Sequence, residues 1–535
     1  MLGASLCAAL VLSALHGPVT PRAAAVLPGR AATSTDWPHF LFLFRDSREL
    51  GDFRIAEVRA AAGAASVDLS RLRFEPVAAP APTGGAEQPR YASNSAGDTG
   101  PDLLQWVQLP SAAVAAEVAS RCSLVRCAFD VWAGVHFDRD GTSMSKSDAL
   151  AEADVRWQRL ADLVQQDASD DERAAMLSAL GPDSWRVDTY SIGWSKPRSL
   201  SGKVALMEKL DALLTDLPGD VELDGPDHVL GFIEDWRGEE AFSVVGMLED
   251  EYTGAGAGVG GEQEGGGVSA PSRLFFGRQL SVGAASHLAD FALSERPYLG
   301  RTTLPPELAL LMANQARVLP GSLVLDPFCG TASTLLSCAA RGARVIGVEI
   351  DERVLRGGNG GRGIESNFEH AGLPPPERLV LGDADRLDEL LPDDRFDAIV
   401  SDPPYGLMEG LGALYVPLVQ RLNSLLTLAA RRLRVGGRLV FLLPLPAGAS
   451  AREALPLSEL PAPIRHSLSV ETICRQTMTL RMHRLMITMV KVAEPDSASI
   501  EAERALAGTA ARRNADGGGA APWEEWWRDR ETESS

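Results

Sequence analysis

The chain lacks any CxxC pair and any Cys/His cluster at zinc-ligand spacing, so neither a redox dithiol nor a resident structural zinc is expected. Its six cysteines in 535 residues are too few for a disulfide scaffold, and their usage suits a reducing compartment. Cys122 and Cys127 fall on an expected helix and read as small buried apolar residues, with a redox pair as the alternative. After the N-terminus no segment offers the ~20 apolar residues needed to cross a bilayer, which excludes a membrane-spanning class. Positive charge is also scarce. The net charge of -21 argues against a broad basic nucleic-acid surface and leaves room only for a local patch or for charge borrowed from a partner. Gly-Lys-Ser/Thr is missing after any strand, which excludes a phosphate-cradling P-loop.

What is present is enough chain for two or three cored domains, with Gly and Pro concentrated in a few stretches. Residues 1–36 hold an apolar run followed by Arg22 and Arg30 in an acid-free stretch, which reads as a targeting or disordered segment. Residues 37–235 form an N-terminal α+β region, interrupted at 78–101 by an Ala/Pro/Gly/Ser-rich stretch without periodicity, expected as a disordered insertion. Within it the run from His39 to Phe44 predicts a buried strand, and the segment from Phe53 an amphipathic helix. Ala112 to Trp132 reads as helical, Trp185 to Ser191 as a strand, Lys203 to Leu214 as helical and Val229 to Glu234 as a strand. Arg186, Lys196, Arg198, Lys203 and Lys209 read as solvated surface or as a local RNA-contact patch. Residues 236–272 are expected as a Gly-rich linker, and 494–535 as an acidic, disordered tail.

From 273 to 493 strands and helices alternate, which predicts a doubly wound, mainly parallel sheet, an α/β domain. Chemistry-bearing residues recur at its strand ends. Val324-Leu-Asp326-Pro-Phe328-Cys-Gly330-Thr331-Ala332 is a strand, a tight turn and a helix start, and Gly330 lets a ligand approach the backbone. The Asp326 carboxylate would repel phosphate and suits a positively charged ligand with an amino group, a description S-adenosylmethionine fits. Glu349 ends the next strand, placed to accept from ribose hydroxyls, while Asp351 reads better as a helix cap. Asp383 follows the third strand and can accept from the adenine amino group, with Asp385 as a substitute.

The fourth strand runs into Ser401-Asp402-Pro403-Pro404-Tyr405. Two prolines stiffen the backbone and remove two N–H donors, leaving a rigid run of acceptors. A base amino group is a poor nucleophile because its lone pair is delocalised into the ring. Acceptors at the Asp402 carboxylate and the Pro403 carbonyl would grip its hydrogens and turn that lone pair outward, and Tyr405 offers a face for stacking.

These motifs in this order resemble the tRNA (guanine-10-N2)-methyltransferase family. Asp402-Pro-Pro-Tyr405 is similar to motif IV of amino-group methyltransferases, and Asp326-Pro-Phe-Cys-Gly-Thr to the family's motif I. The segment from Arg296 to Gln315 resembles the stretch before motif I, Arg484-Leu-Met-Ile-Thr the last strand, and Asp220 to Leu230 the closing region of a THUMP RNA-binding domain. The resemblance implies a Rossmann-like catalytic domain, S-adenosylmethionine as methyl donor, tRNA as substrate and a small zinc-binding activator subunit. It implies work in the cytoplasm, or in an organelle if 1–36 is a targeting segment. Ala332 and the stretch 302–305 depart from the family pattern. Two other readings stand beside it: an amino-group methyltransferase of ribosomal-RNA guanine or DNA adenine, and an RNA-binding protein with a degenerate cofactor site.

Overall fold

The computed structural model describes residues 37–47, 49–77, 103–137, 143–168, 170–194, 198–237, 268–300, 303–357, 362–392, 394–404, 418–446, 462–479 and 482–495. The expected targeting segment, the insertion at 78–101, most of the Gly-rich linker and nearly all of the acidic tail lie outside these residues. The chain divides into two compact units, Met1–His287 and Leu288–Ser535.

The first unit is built on seven strands: β1 (His39–Phe44), β2 (Phe74–Pro76), β3 (Leu104–Gln108), β4 (Val125–His136), β5 (Trp185–Ile192), β6 (His228–Asp235) and β7 (Arg273–Val282). Their order is β2-β3-β1-β4-β7-β6-β5, antiparallel except for the parallel pair β5–β6. The apolar run of β1 occupies an inner position between β3 and β4, and its last five residues are buried, as expected for a strand with both faces covered. A core of Trp157, Phe232 and Phe276 packs edge-on and stacked, with centroids 4.9 and 5.1 Å apart.

Two expectations are corrected here. The helix predicted from Ala112 to Trp132 ends at Arg121, and Val125–His136 is the long strand β4. The Glu57 carboxylate, fully buried, accepts hydrogen bonds from the backbone N–H of Ser123 (2.7 Å) and Leu124 (2.9 Å), so these two donors leave the helix. Cys122 therefore caps a helix and Cys127 sits in a strand; both are buried and outside any disulfide. The expected domain start at 273 also moves. β7 pairs with β4 and β6, which places Arg273–Val282 in the first sheet, where Leu274, Phe275 and Phe276 complete its core.

The second unit has β8 (Leu323–Asp326), β9 (Arg344–Glu349), β10 (Arg378–Leu381), β11 (Phe396–Ser401), β12 (Leu433–Pro446), β13 (Leu468–Thr477) and β14 (Met482–Lys491). The order is β10-β9-β8-β11-β12-β14-β13, with β8 to β12 parallel and β14 antiparallel to both of its neighbours. This is the predicted Rossmann-like α/β sheet. Leu325, Ile346, Val348, Ile399 and Phe441 form its core with Leu425, Leu426 and Ala429 of the helix Leu418–Arg432. Strand order reverses between β8 and β11, and in such sheets the crevice beyond the strands' carboxyl ends at that point receives the ligand. Among the described residues, no helix is long and apolar enough to cross a membrane.

Candidate active site

The carboxyl ends of four adjacent parallel strands each deliver an acid: Asp326 from β8, Glu349 from β9, Asp383 just after β10 and Asp402 just after β11. Of these, Glu349, Asp383 and Asp402 reach the surface, and three carboxylates on one rim favour a cationic ligand and disfavour a phosphate.

Asp326 is 1% exposed, and its own chain fills its carboxylate. Ser401 Oγ donates to Oδ1 (2.6 Å), the Phe328 backbone N–H donates to the same atom (3.0 Å), and Thr334 Oγ1 donates to Oδ2. The side chain braces the turn at Phe328, the helix Ser333–Ala339 and the end of β11 against one another. Burial pushes its pKa up to about 6, against the opposing pull of the Ser401, Thr334 and Phe328 hydrogen bonds and with help from the nearby Asp402 charge. Ser401 stood in the segment singled out from sequence, but its bond to Asp326, like that of Thr334, was not anticipated. Ser401 had a signal, standing directly before Asp402; Thr334 had only its place one turn into a helix.

The loop after β8 is shaped for close approach. Gly330 has φ +50°, and a Cβ built there would meet nothing within 4 Å, so its face is open. Its N–H donates to Glu349 Oε2 (3.0 Å), while Glu349 Oε1 accepts from the N–H groups of Ile350 (2.9 Å) and Asp351 (3.0 Å). Glu349 thus ties the first loop to the second and remains half-buried at the strand end. Asp351 caps the helix Glu352–Arg356 by accepting from Arg353 N–H, as its position suggested. Ala332 is fully buried in the left-handed region (φ 64°, ψ 32°), so this departure from the family pattern carries its cost in the backbone. Thr331 is buried with its Oγ1 3.3 Å from Thr303 Oγ1. Phe328 is half-buried against the sheet core, and Asp383 is exposed.

Beyond β11, Asp402 and Pro404 are half-buried and Pro403 is buried. Arg484 of β14 brings Nη1 to 3.9 Å from Asp402 Oδ2. Sequence reasoning gave Arg484 only a strand position; its nearness to Asp402 depends on β14 returning antiparallel beside β12. Tyr405 lies outside the described residues.

In the first unit the basic residues singled out from sequence meet carboxylates. Arg198 is 6% exposed and pairs with Glu234 (2.7 Å) and Asp154 (2.8 Å). Lys203 pairs with Asp188 (2.8 Å), Arg186 approaches the same carboxylate (3.3 Å), and Lys209 pairs with Asp154 (2.7 Å). Lys196 lies outside the described residues.

Residues 294–445 match the family model of the RMKL-like methyltransferase domain. Among curated proteins, the tRNA (guanine(10)-N(2))-methyltransferase of Saccharomyces cerevisiae is 30% identical over 46% of this chain and 61% of its own length. The enzyme of the same name from Schizosaccharomyces pombe is 35% identical over 50% of this chain and 56% of its own. The tRNA (guanine(10)-N(2))-methyltransferase TRMT11 of Gallus gallus is 29% identical over 60% of this chain and 69% of its own. The chain thus spans less than two thirds of the length of the two yeast relatives. Within the second unit, residues 294–445 are thus similar to an RMKL-like methyltransferase domain, and the chain is similar to tRNA (guanine(10)-N(2))-methyltransferases of two yeasts.

Proposed function

We propose that the chain is the catalytic subunit of a tRNA methyltransferase that modifies the exocyclic N2 of guanosine 10. The observation that carries this reading is the Asp326–Ser401 hydrogen bond, which locks the open glycine loop to the start of Asp402-Pro-Pro. A donor loop and an acceptor-rich strand end are thereby held on one rim.

S-adenosylmethionine fits this rim. The open face of Gly330 admits a ligand against the backbone, and the surrounding carboxyl groups suit a sulfonium cation. When bound, the cofactor supplies an electrophilic methyl group. Gly330, Thr331 and Phe328 would line its path, Glu349 and Asp383 would accept from its ribose and adenine, and Asp326 would hold the loop that shapes the pocket. Asp402 and the Pro403 carbonyl would grip the hydrogens of the guanine N2 and direct its lone pair, with Tyr405 stacking the base. Most of the rate enhancement then comes from positioning.

The first unit would hold the tRNA as a THUMP-like module, with Arg186, Lys196 and Lys203 at the RNA; Arg198 is instead buried in ion pairs with Glu234 and Asp154. A small zinc-binding activator subunit, carrying any zinc itself, would complete a heterodimer. The compartment is the cytoplasm, or an organelle if 1–36 is a targeting segment.

The test is Asp402→Ala. Transfer of a tritiated methyl group to unmodified tRNA should fall by about 10²- to 10⁴-fold or more, with cofactor binding retained. Transfer at the parental rate would refute the assignment, and preferential labelling of ribosomal RNA or duplex DNA would redirect the substrate.

A further inference from the structure

Arg296 follows the short helical segment Leu293–Glu295 and is 8% exposed. Its Nη1 donates to Ser333 Oγ (2.6 Å) and its Nε to the Phe291 carbonyl (3.2 Å). Nη2 is buried with no partner among the described residues. Arg198 is as deeply buried and has two carboxylates at hand; Arg296 has none among the described residues. Burial alone pulls its pKa down to about 10, the mark of a cation with no counter-charge. Removing a guanidinium from water without an anion costs several kcal/mol, and folds rarely keep such a group without a use for it.

Its surroundings indicate the use. Ser333 stands three residues after Gly330, as the first residue of the helix Ser333–Ala339. Thr331, between Gly330 and Ser333 in the chain, has its hydroxyl 3.3 Å from that of Thr303. A planar fork with a free N–H beside hydroxyl donors matches a carboxylate. A tRNA backbone phosphate fits poorly, because the group is too recessed for a polymer backbone and the rim nearby is acidic.

We propose that Arg296 anchors the α-carboxylate of the methyl donor's amino-acid end, through Nη2, with Ser333 fixing the guanidinium plane. The assignment rests on the reading of the rim as an S-adenosylmethionine site. It makes Arg296 the counter-charge at the cofactor's anionic end, while the acidic rim serves the cationic one.

The experiment is titration calorimetry of the full chain with S-adenosylhomocysteine and with its decarboxylated analogue, which keeps the amine, thioether and nucleoside. The parent should bind S-adenosylhomocysteine about 10- to 100-fold more tightly. Arg296→Gln should lose that preference by weakening S-adenosylhomocysteine alone, leaving the decarboxylated ligand unchanged, and Arg296→Lys should fall between. Unaltered preference in Arg296→Gln overturns the proposal. So does equal affinity of the parent for the two ligands, which needs no variant and covers the case in which the variants do not fold. A parent that binds neither ligand overturns the methyl-donor reading itself.

Discussion

Replacing Asp326 by Asn should stabilise the second unit in a way that depends on pH. The folded chain holds the Asp326 proton up to a pKa of about 6, against an ordinary value of 3.8, because burial opposes ionisation. Its stabilising share is therefore fully present below pH ~4 and is lost as pH rises through ~6. The ~2.2-unit gap amounts to about 3 kcal/mol at neutral pH, and about 2 kcal/mol of it develops between pH 4.5 and 7.5. Asn cannot ionise. Its carbonyl can still accept from Phe328 N–H and Ser401 Oγ, and its amide can donate to Thr334 Oγ1. The stability gain of Asp326→Asn should thus grow by about 2 kcal/mol across that range, roughly 1 M in urea midpoint. Urea unfolding followed by far-ultraviolet circular dichroism would measure it. Tryptophan fluorescence would not, since every tryptophan among the described residues lies in the first unit. A gap that does not change with pH would refute the account of this carboxyl group.

Glu234 is fully buried and accepts from the indoles of Trp157 (2.9 Å) and Trp236 (3.1 Å), from Ser191 (3.0 Å) and from Arg198 (2.9 and 2.7 Å). Glu234→Gln should cost the first unit about 3–5 kcal/mol, read by tryptophan fluorescence in urea, and a loss under about 1 kcal/mol would contradict the buried-pair argument. Ala332→Gly should raise the second unit's stability by about 1 kcal/mol in calorimetry by relieving the left-handed backbone; a decrease would show that the Ala332 methyl packs usefully.

Much of the second unit's sheet could be read from the chain because β8 to β11, four of its five parallel strands, are short apolar runs that end in an acid or are followed by one within two residues. β1 was equally legible as five buried apolar residues after His39. The misread stretch from Ala112 to Trp132 is mostly apolar, and periodicity cannot separate a buried strand from a buried helix. Its break at Cys122 depends on Glu57, 66 residues before Ser123. β7 was assigned to the wrong unit for a similar reason, since its partners β4 and β6 are distant in sequence. In the site, the four acids announced themselves by position. The bracing by Ser401 and Thr334, the nearness of Arg484 to Asp402 and the Nη2 of Arg296, without a partner among the described residues, are properties of tertiary packing with no local pattern.

The bond from Ser401 to Asp326 joins residues 75 positions apart. Closing so long a loop is costly in chain entropy until β11 has docked beside β8, so this contact forms with the central sheet and not ahead of it. A nascent or partly folded chain, even with its first βα unit in place, presents the glycine loop without the Asp-Pro-Pro strand end set against it. Assembly of the rim is in this way tied to completion of folding, and an intermediate lacking β11 would have half of it.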